Sequence, residues 1–328
     1  MAMSSFDGKN VLVTGGAGFI GAHLARRLSD LGGNVHIVDS FNPLQGANIA
    51  NLKGLEEKVK LYEMGVDDFC EKKTDILRRQ DYIFNLAGQS SHMDSMSHPF
   101  FDLDSNISAQ LSLLEACRHE NRRVRIVFAS TRQLYGVPLY VPVDERHPVA
   151  PVDINGIHKF AAEQYHRLYC RLYGIESTIL RLTNTYGPGM RIKDARQNFL
   201  GIWIRLLLEE KPLEIWGGEQ MRDFTYVDDC VDAFMAVALS KESVGKIYNL
   251  GGATLNLKEL AALMLSIVGC GSLIVKDFPE ERKGIDIGSF FSSDDFIRLS
   301  LGWQPRVSLQ EGLEKTLSYF EENYDYYV

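Results

Sequence analysis

Two groups of residues in this 328-residue chain have types and spacing suited to chemistry. The first lies in VLVTGGAGFIGAHLARRL, residues 11–28, where a short β-prone run meets glycines at Gly15, Gly18 and Gly21. Gly15 suits a sharp turn, Gly18 lets backbone amides approach a pyrophosphate, and Gly21 lets the following helix pack close to the strand. Phe19 and Ile20 open that helix, whose free N–H groups and positive dipole end favour a phosphate. Asp39 ends the next strand-like run, 18 residues after Gly21, where a carboxylate accepts hydrogen bonds from the ribose hydroxyls of NAD and repels the 2′-phosphate of NADP. The second group is spread over FASTRQLYG (128–136) and PVDINGIHKF (151–160). Thr131 is a hydroxyl at the carboxyl end of a strand, read on local grounds as a turn or helix cap. Lys159 stands in the first turns of a helix, with His158 beside it.

The elements that must position these residues alternate. Strands are expected at 11–14, 35–38, 59–63, 82–86, 125–129 and 178–182, the last closing the first sheet, with helices near 19–31, 68–79, 102–119 and 156–173. Such alternation implies an α/β fold, a Rossmann-type doubly wound parallel sheet with ligands at its strand carboxyl ends. Small residues in NLAGQSS (85–91), Ala87 among them, let the backbone pass beneath a cofactor there. Asn106 opens the long helix that follows. Beyond Gly187 the alternation loosens into helices near 196–209, 228–239, 256–268 and 308–323, with strands at 213–216 and 272–275. The expected domains are a Rossmann unit over 1–187 and a smaller C-terminal α/β substrate lobe, 188–328, that returns at least one element to the first.

Composition narrows the function classes. The chain is 45% hydrophobic and 24% charged, with net charge −8 and no basic block, which argues against nucleic acid. No apolar run approaches the ~18 residues of a membrane span. Five scattered cysteines, none in a C-x-x-C pair, fit a reducing cytoplasm and no metal site.

The order of motifs resembles that of an extended short-chain dehydrogenase/reductase of the NAD-dependent nucleotide-sugar epimerase/dehydratase family. TGGAGFIG, FASTRQLYG, RLTNTYGPG, RDFTYVDDCVDAF, YNLGG and LGWQP follow in sequence along nearly the whole chain. The resemblance implies NAD as cofactor and a nucleotide-diphosphate sugar as substrate, oxidised transiently to a keto sugar while a tyrosinate takes its hydroxyl proton. It assigns Thr131 to the substrate hydrogen bond and Lys159 to the nicotinamide ribose. It also implies a homodimer through the helices at 102–119 and 156–173.

Two departures qualify that assignment. The family tyrosine, four residues before the lysine, is Asn155 here, and an amide exchanges no proton near neutral pH. His158 and Asp153 are the nearby candidates for a replacement base, against the reading of His158 as a surface residue. Tyr165 points the wrong way. Arg132 and Gln133 occupy the places of the Asp–Glu pair of the 4,6-dehydratases, which disfavours ordinary dehydration. Arg132 suits an anionic substrate group or solvent.

In the second half the resemblance assigns substrate contacts to Asn184, Arg222, Arg282 and Asp286, the two arginines suiting a diphosphate. The basic run 189–199 is read as a lid or specificity loop, or as a solvated face. The expected function is NAD-dependent epimerisation of a nucleotide sugar with a non-standard proton-transfer group. The alternatives are an NAD- and nucleotide-sugar-binding protein without catalysis, or an unusual dehydratase.

Overall fold

A computed structural model describes residues 6–194, 198–277 and 287–328. Six strands and their helices alternate through the first half. These are β1 (Asn10–Thr14), α1 (Phe19–Asp30), β2 (Asn34–Asp39), β3 (Val59–Glu63), α2 (Val66–Lys72), α3 (Thr74–Leu77), β4 (Tyr82–Asn85), α4 (His92–Ser97), α5 (Pro99–Leu103), α6 (Ala109–Glu120), β5 (Arg125–Thr131), α7 (Ile154–Tyr173) and β6 (Glu176–Leu182). Then come β7 (Asn184–Tyr186), α8 (Phe199–Leu208), β8 (Leu213–Trp216), β9 (Met221–Tyr226), α9 (Val227–Leu239), β10 (Ile247–Asn249), β11 (Ala253–Asn256), α10 (Leu257–Val268), β12 (Leu273–Lys276), α11 (Asp295–Leu301) and α12 (Leu309–Asn323).

The main sheet has seven parallel strands in the order β10-β6-β5-β4-β1-β2-β3. Strand alternation sorts its side chains onto two faces. Val11, Val13, Val35, Ile37 and Phe84 pack with α1 and α9, whereas Leu12, Ile83 and Ile126 pack with α2, α6 and α7. Burying each such side chain contributes about 1.5–3 kcal/mol, so both faces need a helical cover. The expected closing strand, β6, is not the edge. β10 pairs beside it, because Lys246 and the strand after it dock their backbone along Ile179–Arg181.

Two helices also differ from expectation. The segment 68–79 is broken at Lys73, whose φ of −128° leaves the helical region between α2 and α3. The helix expected to open at Asn106 begins instead at Pro99 and passes through a π-helical turn, Asp104–Ser108. That turn carries Asn106 inward, where its amide donates to the Gln89 carbonyl and the Asp102 carboxylate, both at 3.0 Å.

The second lobe holds a three-stranded sheet, β11-β9-β7, and the β12-β8 pair, around a core that includes Trp203, Ile204, Phe224, Leu313 and Phe320. Arg191 ties this half to the first by donating to the Gln45 carbonyl at 2.8 Å. No helix among the described residues is long and apolar enough to cross a membrane.

Gly21 fixes how closely α1 approaches β1. A Cβ there lies inside van der Waals contact of the Gly15 carbonyl oxygen and 2.8 Å from the Gly16 Cα, both backbone atoms that cannot swing away. Gly21→Ala is expected to cost about 1–3 kcal/mol, the range for overpacking. Thermal or urea unfolding beside the parent protein measures it.

Candidate functional site

A cavity of about 730 Å³ opens at the strand carboxyl ends, across the reversal of strand order between β1 and β4. Its floor is the glycine turn. Gly15 sits at φ +69°, and a Cβ there would be 2.9 Å from the backbone of Leu86 and Ala87. Gly18 caps α1 without a side-chain bond, so the first-turn amides of Phe19 and Ile20 face the cavity without intrahelical partners. The Gly18 amide itself is spent on the Gly15 carbonyl at 3.1 Å. Asp39 ends β2 and accepts from the Ala17 and Phe41 amides, each at 3.0 Å. Burial pushes its carboxyl above the ordinary value, and those amides work against the rise. Ala87 lines the same wall, its amide held by Thr14 Oγ1.

Thr131 lines the cavity and also caps the turn after β5, accepting from the Gln133 amide at 3.2 Å. The cap and the cavity position are therefore compatible. Lys159 donates to the Ala129 carbonyl at 3.3 Å and lies 5.2 Å from the centre of the Phe128 ring. Burial brings its amine down to about 8, opposed by Asp102 and Glu163.

Asn155 is 1% exposed and both its amide hydrogens are engaged, one on the Gln89 carbonyl at 2.8 Å and one on Asp102 at 3.0 Å. His158 is neither a surface residue nor part of the cavity wall. Its Nδ1 is 2.7 Å from the other Asp102 oxygen. The two residues three apart on α7 thus share one buried carboxylate, and the proposed base turns away from the cavity. Asp153 caps α7 through the Gly156 amide at 2.7 Å and bonds His92 at 2.5 Å. His92 lines the cavity, a residue that the sequence reading passed over because no spacing rule links positions 92 and 153.

From the second lobe, Asn184, Met190, Arg191 and Asn198 complete the wall. Asn184 donates to the Asp223 carbonyl at 3.0 Å. Arg222 donates to the Met221 and Gly288 carbonyls and is not among the cavity-lining residues. Arg282 and Asp286 lie outside the described residues. Four cavity-lining side chains hold a buried polar atom without a protein partner: Gln89 Nε2, Arg132 Nη1, Gln133 Oε1 and Thr183 Oγ1. Buried polar atoms require partners, and a ligand rich in hydroxyls supplies them. Glycine floor, Asp39 cradle and orphaned atoms together fit a dinucleotide followed by a polar second ligand. No group of three or more metal-ligating side chains occurs among the described residues.

Comparison with known proteins agrees with this geometry. Residues 11–251 match the model of the NAD dependent epimerase/dehydratase family. A putative UDP-glucose 4-epimerase of Methanocaldococcus jannaschii is 31% identical over 95% of this chain and 99% of its own length. UDP-glucuronic acid decarboxylase 1 of Xenopus tropicalis is 32% identical over 99% of this chain and 75% of its own. The crystal structure of a UDP-glucose 4-epimerase with UDP-glucose from Thermotoga maritima superposes with a TM-score of 0.87 at 32% identity, covering 96% of this chain and 99% of that one.

The lowered Lys159 value has a measurable consequence. Between about 8 and the ordinary 10.5 the unfolded chain holds a proton that the ligand-free fold has released. Stability therefore rises with pH through that window, by an amount on the order of 3 kcal/mol. Lys159→Met removes the effect. Denaturant unfolding of ligand-free parent and variant at both ends of the window should show the parent gaining on the variant as pH rises.

Proposed function

This chain belongs to the NAD-dependent epimerase/dehydratase family, and from that premise we propose that it epimerises a nucleoside-diphosphate sugar through a transient keto sugar. NAD supplies the acceptor and later the donor of the substrate's hydrogen with its electron pair. Asp39 holds the adenosine ribose and the Phe19 and Ile20 amides hold the diphosphate. Lys159, cationic below about 8, holds the nicotinamide ribose. Thr131 presents a hydroxyl to the sugar atom that changes. The observation that carries the reading is the continuous cavity lined from Asp39 to Asn198, with four orphaned polar atoms on side chains of its lining.

Epimerisation is favoured over dehydration by what stands at 132 and 133. Arg132 and Gln133 line the cavity, and neither protonates a leaving hydroxyl nor abstracts a carbon-bound proton at neutral pH. Arg132 stacks its guanidinium 4.9 Å from the centre of the Phe290 ring. Burial first, then Arg222, brings its value down to about 10, so it remains a cation that suits an anionic group. Asn184 and Arg191 are the proposed nucleotide contacts on the cavity wall from the second lobe, and Arg222, Arg282 and Asp286 are further proposed contacts.

A second copy of the chain completes the assembly. Ile157, Leu168 and Leu172 form one stripe along α7, at 51%, 37% and 58% exposure, beside Phe100 on α5 at 81%. Apolar stripes of this kind on adjacent helices match a four-helix dimer interface. Leu172→Glu is expected to shift the protein from dimer to monomer in light scattering.

For the reaction, the protein is denatured and the released nucleotide identified. The intact protein is then incubated with UDP-glucose, UDP-N-acetylglucosamine and UDP-glucuronic acid while NADH absorbance and sugar products are followed. NAD release and a 4-epimeric product are expected, with Thr131→Val turning over about 10- to 100-fold more slowly. Bound NAD with no product from any sugar would point to the non-catalytic binder.

A further inference from the structure

We infer that His92, oriented by Asp153, takes the sugar hydroxyl proton that a tyrosine takes in the family pattern. The inference rests on the reading that the cavity oxidises a sugar alcohol.

Several placements converge on this ring. His92 opens α4, which Ser91 caps by accepting from the Asp94 amide at 3.2 Å. Its side chain is 38% exposed, whereas the Asp153 carboxylate bonded to Nδ1 is 4% exposed. One Asp153 oxygen meets Nδ1 at 2.5 Å and the other accepts from Gly156 at 2.7 Å, so the carboxylate cannot turn away. Burial pushes that carboxyl up, but bonding to His92 and the field of Arg132 leave it below its ordinary value. It therefore stays an anion at neutral pH. A carboxylate accepts only, so the neutral ring places its proton on Nδ1 and keeps a lone pair on Nε2. Nε2 meets the Gln133 side-chain amide, whose Oε1 is buried without a partner.

The position between two chain segments is what gives this ring its role. Gln133 is two residues after Thr131, and Asp153 is two residues before Asn155. Nε2, met by the Gln133 side chain, thus lies between the strand end that offers the hydroxyl and the helix start where the tyrosine is missing. Neighbouring groups are committed elsewhere. Asn155 spends both amide hydrogens, His158 faces Asp102, and Lys159 is hydrogen-bonded to Ala129.

In the forward half-reaction a substrate hydroxyl replaces the Gln133 amide at Nε2 and the freed Gln133 side chain steadies the sugar. The O–H bond breaks and its proton bonds to Nε2. With NAD bound, its nicotinamide would accept the carbon's hydrogen with the electron pair of the C–H bond, so that C–O becomes C=O. The resulting imidazolium keeps its Nδ1–H on Asp153, and the reverse half-reaction returns the proton to oxygen. The arrangement parallels the carboxylate–imidazole pair of hydrolases, where the carboxylate sets the tautomer without itself taking the proton.

The test uses the full chain as purified with its nucleotide. His92→Gln should leave nucleotide content and melting temperature unchanged while lowering kcat at least about 100-fold. Asp153→Asn keeps a capping side chain but loses the anion, so Asp153 as a positioning residue should lower kcat less than His92→Gln does. An independent readout comes from protein labelled with 15N-histidine, the His92 signals being assigned by their loss in His92→Gln. The parent should show the Nδ1–H tautomer in its ligand-free state and a shifted Nε2 signal on adding a turned-over UDP-sugar, and Asp153→Asn should disturb the tautomer. An Nε2–H tautomer in the parent overturns the inference. An inert parent sinks the functional reading and the proton role with it, whereas an active parent matched by His92→Gln sinks the proton role alone.

Discussion

A carboxylate with no exposed surface sits beside the cavity, and the arrangement around it follows from the need to satisfy it. Asp102 receives Asn106 at 3.0 Å, Asn155 at 3.0 Å and His158 at 2.7 Å. Burying an ionised carboxyl without such donors costs several kcal/mol, so the three residues are held as a set. The π-helical turn at Asp104–Ser108 exists within this set, because it carries Asn106 to the same side as Asp102. The same contacts fix the junction of α5 and α7, and α7 in turn places Lys159 under the cavity. Asn155 is then less a defective tyrosine than a donor in a charge-satisfying network. A phenol at that place offers one hydrogen where the amide supplies two, to Asp102 and to the Gln89 carbonyl.

A second buried network holds the far edge of the sheet. Arg181 on β6 makes paired bonds to Glu163 on α7, at 2.9 and 2.6 Å, and donates to the Tyr135 hydroxyl at 2.6 Å. Tyr135 passes the chain on to Asn249 of β10, and Ser130 at the end of β5 also donates to Glu163. One ion pair therefore joins three strands and a helix just below the cavity. Burial pushes the Tyr135 phenol up to about 12 despite Arg181, which keeps it neutral and rules it out as a local base. Rigid backing of this kind matters for a site whose reacting atoms must be placed within about half an ångström.

The Rossmann half was readable in the sequence because its signals are local. Strand hydrophobicity, the spacing of the glycine turn and Asp39 at the end of the next strand-like run are all patterns that show within a stretch of about thirty residues. β8 and β12 stand where strands were expected, at 213–216 and 272–275, but β10 and the second-lobe strands β7, β9 and β11 were not readable. β10 has three residues and β7 three, too few for any period to register, and their pairing is set by distant partners. The cavity residues divide the same way. Thr131, Lys159 and Ala87 lie at strand or helix ends whose motifs could be aligned, and all three reach the cavity. His158 looked suitable from its helical offset to Asn155, but offset along a helix does not say which buried charge captures the ring.

His92 shows what pattern reading lacks. It pairs with a carboxylate 61 positions away, through the coincidence of one helix start with another. Ser95 reinforces that junction, its hydroxyl accepting from the Asn155 backbone N–H at 3.3 Å while donating to the His92 carbonyl at 2.7 Å. The first turns of α4 and α7 are therefore bonded at two points, so the ring and the substituted position cannot move independently. One nitrogen of that ring is anchored by the Asp153 carboxylate and the other meets the Gln133 side chain, and both His92 and Gln133 line the cavity.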